Sequence, residues 1–362
     1  MRHFEWFLAC ALILSSVPTW AQGPAPSAAP GTQVGPPVAS APGIYSSSFE
    51  GPCWHRPSAC DTACCEDCCE ECCTSWYAQF DALYLNRTNT DMISQSLIFV
   101  PTQTTIFTTD DLDLGSAPGG RILLGYHDCC GRGWELLYYG TDDWTSATTF
   151  QGQLSLPGAL GAAAGFNLVG QLDTQYSSQL HNVEINRVFG SLPFSVLAGF
   201  RYVELDEQFS FAASLNAPGN VVSGRYDIDA VNRLYGAQIG TRLTHRWERW
   251  GFDFTAKAGV FANDADQSSN IVVAINNASA SLPPGTGSTT DVAFVGDINL
   301  SGAYRLLDNV WLRGGYNFMW IEGIALGPDQ LDFTLSPTSR NGLNNDGGVY
   351  LHGANAGVEV RW

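Results

Sequence analysis

The sequence predicts an all-β protein: a transmembrane antiparallel up-and-down β-barrel of about ten strands, with twelve as the alternative, preceded by a Cys-rich N-terminal arm. Long segments alternate apolar and polar residues with a period of two. Long and short connections between these segments also alternate. Hydrophobic residues make up 45% of the chain, whereas charged residues make up only 14%. These features are typical of a sheet whose outer surface faces lipid.

The overall charge restricts the classes of partner. The formal net charge is -18, and nucleic-acid binding requires basic patches, so nucleic acid is excluded as a partner. After the first twenty residues, no run approaches the roughly 18 consecutive apolar residues of a membrane helix. A membrane location therefore requires strands.

The N-terminal region predicts export. Residues 1–21 are typical of a signal peptide: Arg2 and His3 precede an apolar run, and Ala21 offers a small residue at the cleavage site. Residues 22–52 are rich in Pro, Ala and Gly and predict an extended linker. We expect the mature chain to reach the outer membrane.

Residues 53–74 form a Cys-rich segment, and two more cysteines follow much later. The candidate disulfide cysteines are Cys53, Cys60, Cys64, Cys65, Cys68, Cys69, Cys72, Cys73, Cys129 and Cys130. In an exported chain this density favours disulfides, although the Cys-x-x-Cys spacings leave metal binding open. We assign no metal ligands and expect at least one disulfide between the arm and the turn at Cys129 and Cys130.

Residues 76–362 predict the barrel. The ten predicted strands cover 76–87, 120–128, 133–142, 175–187, 194–214, 221–244, 251–275, 290–306, 310–323 and 349–362. The short turns between them all fall at one end of a barrel and the long loops at the other, which is the asymmetry of outer-membrane barrels. We therefore expect both termini on the periplasmic side. The link 143–174 could hide another hairpin, around Thr148 to Leu156, which would give twelve strands.

The last strand predicts how the barrel closes. Its apolar face continues to the end of the chain, where Val358, Val360 and Trp362 form a candidate C-terminal insertion signal. An exposed apolar edge would be a liability in water, so we expect this edge to pair with the first strand.

Tryptophans predict the limits of the apolar band. Trp76, Trp247, Trp250, Trp311 and Trp362 fall at the short-turn ends of strands. Trp134 and Trp144 share a face in strict alternation and would bracket about 25 Å of the barrel wall. We expect the two residues to mark two lipid-facing girdles.

The polar faces of the strands predict a charged interior. The candidate lumen-lining residues are Glu135, Arg201, Gln238, Arg242, Asp253, Lys257, Asp297, Arg313, Glu359 and Arg361, and Glu184 shares their face. A ten-stranded barrel is only slightly wider than the eight-stranded barrels that side chains fill. Two functions stay open. One is a narrow porin for ions or small solutes, and the other is a non-conducting structural, anchoring or adhesive barrel with a charge-plugged lumen.

The sequence does not predict an enzyme or a cofactor. A membrane-embedded hydrolase would need a histidine with a serine or aspartate near the outer rim, and only His352, near Asp346, falls toward that side. Asp110, Asp111 and Asp113 lie in the first long loop, where a solvated acidic loop is the simpler interpretation than a Ca²⁺ site.

Several stretches carry a family resemblance. They are AGFRYVELDEQF (198–209), NRLYGAQIGTRL (232–243), FVGDINLSGAYRL (294–306), WLRGGYNFMWIEGIAL (311–326) and LHGANAGVEVRW (351–362). In combination they resemble the planctomycete family of β-barrel porins, also labelled outer-membrane β-barrel proteins. The resemblance implies a location and a fold and supplies no catalytic residues. We expect outer-membrane lipid and the barrel-insertion machinery as partners, with a homo-oligomer or a periplasmic disulfide partner as further possibilities.

Overall fold

The computed structural model describes residues 75–90, 92–99, 104–128, 132–190, 192–217, 219–276, 278–336 and 339–362. The predicted signal peptide, linker and Cys-rich segment lie outside these residues. Cys129 and Cys130 also lie outside them, and with them the predicted disulfide between arm and turn.

Fourteen strands run through the described residues. They are β1 (Ser75–Thr90), β2 (Ser96–Phe99), β3 (Thr105–Thr108), β4 (Ser116–His127), β5 (Gly133–Thr141), β6 (Trp144–Leu154), β7 (Val169–Phe189), β8 (Phe194–Ala217), β9 (Asn220–Arg246), β10 (Trp250–Ile275), β11 (Ala278–Ser281), β12 (Gly285–Leu307), β13 (Val310–Ile324) and β14 (Gly347–Arg361). The remaining regular structure is three short 3-10 helices. Across the described residues, no helix is both long enough and apolar enough to cross a membrane.

The sheet closes on itself. The first strand, β1, pairs with β14, from Tyr77 opposite Arg361 to Thr90 opposite Gly348, and on its other side β1 pairs with β4. The ring continues through β5, β7, β8, β9, β10, β12 and β13 back to β14, and every pairing is antiparallel. The predicted closed barrel of ten strands is confirmed.

Strand β6 corrects the interpretation of the link 143–174. This link contains one strand, which pairs with residues 169–178 of β7, while β5 pairs with residues 181–188 of the same strand. Together β5 and β6 occupy one position in the ring, interrupted at Asp142 and Asp143, so the predicted additional hairpin is absent here. Strand β11 only extends the hairpin at the end of β10, and the ring keeps ten positions.

The interruption between β5 and β6 also changes the direction of Trp144. Strict alternation would keep it on the face of Trp134, but Thr141 and Trp144 are both buried, so the alternation shifts by one residue between them. Trp134 is 51% exposed, whereas Trp144 is 1% exposed and donates its indole N–H to the carbonyl of Leu85 at 2.8 Å. The predicted girdle role of Trp144 is therefore wrong.

Trp311 lies at the predicted short-turn end, but it is not part of an outer girdle. Its side chain is buried rather than lipid-facing, and the guanidinium groups of Arg246 and Arg361 lie 5.5 and 5.6 Å from its ring. The other tryptophans predicted there, Trp76, Trp247, Trp250 and Trp362, are exposed on the outer surface.

The polarity of the barrel wall inverts along the long strands. Strands β8 to β10 have 24, 27 and 26 residues, well above the roughly 9 to 11 that span a bilayer. On β8 the exposed Phe200 is followed on the outer face by Glu204 and Asp206, while the inner face changes from Arg201 to the buried Val203. The lower half of the barrel, at the short-turn end, thus has apolar side chains outside and polar ones inside. The upper half, at the long-loop end, has polar side chains outside and mostly apolar ones inside.

The upper half contains the apolar core. Phe209 and Phe211 of β8 pack there with Tyr226 of β9, joined by Phe166 and Leu326 from the long loops. Because these loops fold into the mouth of the barrel, they bury their apolar side chains between the strands.

Candidate functional site: the barrel interior

The lowest layer of the interior is centred on Glu135. Arg242 of β9 donates from both terminal nitrogens to the Glu135 carboxylate of β5, with Nη2 2.8 Å from Oε2. The hydroxyl of Tyr77 also donates to Glu135. Because β7 and β8 separate β5 from β9, this ion pair crosses the lumen.

A second cluster at the same end is centred on Arg313. Its Nη1 lies 2.6 Å from Glu359 and 3.2 Å from Asp253. Arg246 pairs with Asp253 at 3.0 Å, and Arg361 pairs with Glu359. Each carboxylate thus meets two guanidinium groups, which is how buried charges are normally held.

The middle layer joins two cations to two carboxylates. Lys257 lies 2.7 Å from Glu184 and 3.5 Å from Asp297, and Arg201 also pairs with Asp297. The amide of Gln238 donates to Glu184 at 2.7 Å. The layer holds two positive and two negative side chains, so its charges balance, and each of the four is at most 16% exposed.

A polar bridge beside this layer spans the other side of the lumen. Arg121 of β4 pairs with Asp81 at 2.6 Å and donates to Asn317 of β13 at 2.9 Å. Asn317 in turn donates to Asn355 at 3.0 Å. Because β1 and β14 separate β4 from β13, this bridge also crosses the barrel.

An uppermost ion pair lies beneath the apolar core. Arg87 of β1 and Glu207 of β8 are 2.7 Å apart, and both side chains are fully buried. Tyr176 donates to Glu207 and accepts from Arg87 Nη2 at 3.1 Å. The sequence reasoning did not single out this pair. Glu207 shares the inward face of Arg201 six residues earlier, and that alternation could have identified it.

Residues 325–331, at the start of the loop 325–346, lie buried in the mouth of the barrel. Asn232 of β9 donates to the Ala325 carbonyl at 2.8 Å and accepts from its N–H at 2.7 Å, and Glu207 accepts from the Gly327 N–H at 3.2 Å. Asp329 accepts from the Ile93 N–H at 2.9 Å, which joins this loop to the first one. Burial raises the pKa of Asp329 to about 6.

The structure places all of the sequence-predicted lumen residues on the inner wall. Six are fully buried and four partly buried; in order along the chain they are Glu135, Arg201, Gln238, Arg242, Asp253, Lys257, Asp297, Arg313, Glu359 and Arg361. Most of them contact one another, although they come from seven different strands. The C-terminal residues Val358, Val360 and Trp362 lie on the outer face, and the Trp362 backbone exchanges hydrogen bonds with Trp76 at 2.8 and 2.9 Å.

The residues weighed for catalysis or metal binding have other contacts. His352 pairs with the hydroxyl of Tyr316 at 2.7 Å, and Asp111 accepts from the Thr108 N–H at 2.8 Å within its own loop. Asp110 accepts from Ser94. A search of the described residues found no group of three or more His, Cys, Asp or Glu side chains arranged to hold a metal ion.

A closed antiparallel barrel with an apolar outer band and a charged interior defines the class of outer-membrane β-barrel proteins. A family model described as "Putative beta barrel porin-7" matches residues 85–362. The chain belongs to this family, as the sequence resemblance predicted.

Several solved outer-membrane barrels resemble this chain at low sequence identity. A search of curated proteins found no match. Among solved structures, the outer membrane protease OmpT from Escherichia coli matches with a TM-score of 0.40 and 9% identity, covering 80% of this chain and 97% of that one. A Pseudomonas aeruginosa FadL homologue matches with a TM-score of 0.28 and 10% identity, covering 80% and 90%. An anion-selective porin from Comamonas acidovorans gives 0.17 and 10%, covering 80% and 99%.

Proposed function

We propose that this chain is an exported structural barrel that anchors its N-terminal arm at the outer membrane and does not conduct solutes in the state described. The single observation that carries the proposal is the filled interior. Ion pairs cross the lumen at three levels, and the apolar core and the loop 325–346 fill the mouth above them. An ion would have to break these pairs to pass.

The residues that fill the lumen belong to strands as well as to loops, and this distinguishes the proposed closed barrel from a narrow porin. Loops can move aside, but the Arg201 and Lys257 cluster and the Arg242 and Glu135 pair belong to strands of the barrel wall. Moving the loop 325–346 would leave both layers in place. The porin alternative is favoured by the family description, and it would require these buried pairs to separate.

Planar-bilayer recording of the refolded protein tests the proposal. We expect no discrete conductance steps from protein that is folded, as judged by its heat-modifiable migration in gels. A variant with residues 325–333 replaced by a short Gly-Ser linker should also stay silent, because the strand-borne layers remain. Steps from the unaltered chain would overturn the proposal in favour of a narrow pore, and steps from the linker variant alone would identify a gated one.

The proposal includes an orientation and a lack of enzymatic activity. Both termini and the short turns would face the periplasm, where the insertion machinery would recognise the last strand through Val358, Val360 and Trp362. Each of the four histidines in the described residues packs against an aromatic ring, which supports structural roles for them. A homo-oligomer of barrels is a separate proposal, and crosslinking in native membranes would test it.

A further inference from the structure

We propose that Arg187 forms a binding site for the phosphate group of a membrane phospholipid at the short-turn end of the barrel. The proposal does not depend on whether the lumen conducts. It rests on one cation in the lipid-facing wall that lies close to two aromatic rings.

The position of Arg187 follows from the sheet. Arg187 lies on the outer face of β7, two residues after the exposed Ile185 and two before the exposed Phe189. Directly across the strand pair it faces Trp134 of β5. The same outward row continues through Tyr126 to Trp76, whose rings are 5.0 Å apart. Arg187 is therefore part of the aromatic girdle, where lipid headgroups meet the protein.

The two rings hold the guanidinium in place. Its central carbon lies 5.1 Å from the Trp134 ring centre and 5.7 Å from the Phe189 ring centre. Both distances are within the range of cation–π attraction. A guanidinium group carries five N–H donors, and two of them on one edge match two phosphate oxygens.

The charge of Arg187 lacks a protein counter-ion in the described part of the chain. None of the ion pairs there includes Arg187, and the nearby Asp128 accepts from the Arg132 N–H at 2.8 Å. By sequence, the adjoining turn residues 129–131 and 191 are Cys, Cys, Gly and Ser, so they bring no carboxylate. A cation in a lipid-facing wall is costly unless it is paired or solvated. At this depth a phospholipid phosphate is the anion that the surroundings supply.

A lipid titration tests the site. The refolded protein in dodecyl maltoside micelles would be titrated with phosphatidylglycerol, and bound lipid would be counted by native mass spectrometry. We expect R187Q to bind the first lipid about tenfold more weakly, which is the effect of losing one charge-assisted hydrogen bond. R225Q is the matched control, because Arg225 is an exposed arginine of the upper half that already pairs with Asp227 at 2.7 Å. Its lipid binding should be unchanged.

Further arms separate the contributions of phosphate, acyl chains and ring stacking. Diacylglycerol, which has the chains without the phosphate, should not distinguish R187Q from the unaltered protein. R187K keeps the charge but lacks the planar guanidinium group, so its affinity for phosphatidylglycerol should fall between those of R187Q and the unaltered protein. Equal lipid binding by R187Q and R225Q would overturn the site, and R187K binding like the unaltered protein would overturn the role of the rings. Inorganic phosphate competing as well as the lipid would overturn the lipid assignment. Heat-modifiable migration of each variant shows that it is folded.

Discussion

Replacing Arg201 by methionine should destabilise the barrel strongly. Arg201 is fully buried and pairs with Asp297. Methionine has a similar length but carries no charge, so it leaves Asp297 and Glu184 with one cation between them. Removing one partner of a buried ion pair costs about 3 to 5 kcal/mol, because the other charge stays desolvated and unpaired. Lys257 remains 2.7 Å from Glu184 and 3.5 Å from Asp297, so we expect a cost of about 3 kcal/mol.

The measurement is reversible unfolding in denaturant of the protein refolded into lipid vesicles, followed by tryptophan fluorescence. The double variant R201M/D297N removes both charges and should recover about 1 kcal/mol or more, since contacting residues are coupled on this scale. R225M provides the surface comparison and should cost less than about 1 kcal/mol, because Arg225 is 60% exposed. A cost for R201M as small as that for R225M, or a double variant whose cost equals the sum of the single ones, would refute the buried and coupled network.

Three further predictions test other parts of the fold. The pKa of Asp329, raised to about 6 in the folded chain, means that folding favours its protonated form. This stability is present at low pH and lost as pH rises through about 6. D329N, which mimics the protonated form, should therefore become more stable relative to the unaltered protein between pH 4 and 7, and a pH-independent difference in unfolding midpoint would contradict this. Gly125→Val should cost about 1 to 3 kcal/mol, because a Cβ there would lie 2.1 Å from the ring of Tyr77; G120V, where a Cβ meets open space, is the control in the same denaturant assay. Deleting Trp362 should lower the amount of barrel in outer-membrane fractions, and unchanged amounts would argue against its role as an insertion signal.

The sequence predicted the ten ring strands because each alternates strongly in its lower half. Phe80, Ala82 and Tyr84 face outward on β1, and Phe252 and Phe254 do so on β10. Strand β6 lacked this signal. Its residues 145–154, TSATTFQGQL, are mostly hydroxyl, amide and small residues, so neither face is continuously apolar. A hairpin was predicted around Thr148 to Leu156, but the pattern gave neither the single strand nor its pairing with β7.

The sequence predicted which side chains point into the barrel, but it did not predict which of them contact one another. Period-two alternation gives the inward face of Arg201 or Asp253, but it does not give the strand across the lumen that supplies the partner. The burial of residues 325–331 was also missed, because this segment is held by contacts of its backbone groups with Asn232 and Glu207. Such contacts have no periodic sequence signal. Likewise, the one-residue shift of the alternation at Asp142 and Asp143 turned the side chain of Trp144 from the predicted outer face to the inner face.

The inversion of polarity along β8 to β10 determines how deep the protein lies in the bilayer. Sinking by two residues would carry the carboxylates of Glu204 and Asp264 into hydrocarbon, at up to about 2 to 4 kcal/mol for each charge near the midplane and less near the surface. Rising by the same amount would lift Phe200 and Ile239 into water and give up their contact with acyl chains. The change from apolar to charged residues on the outer faces of β8 to β10 therefore opposes movement of the barrel in both directions along the bilayer normal. No separate anchor is needed to hold the barrel at this depth.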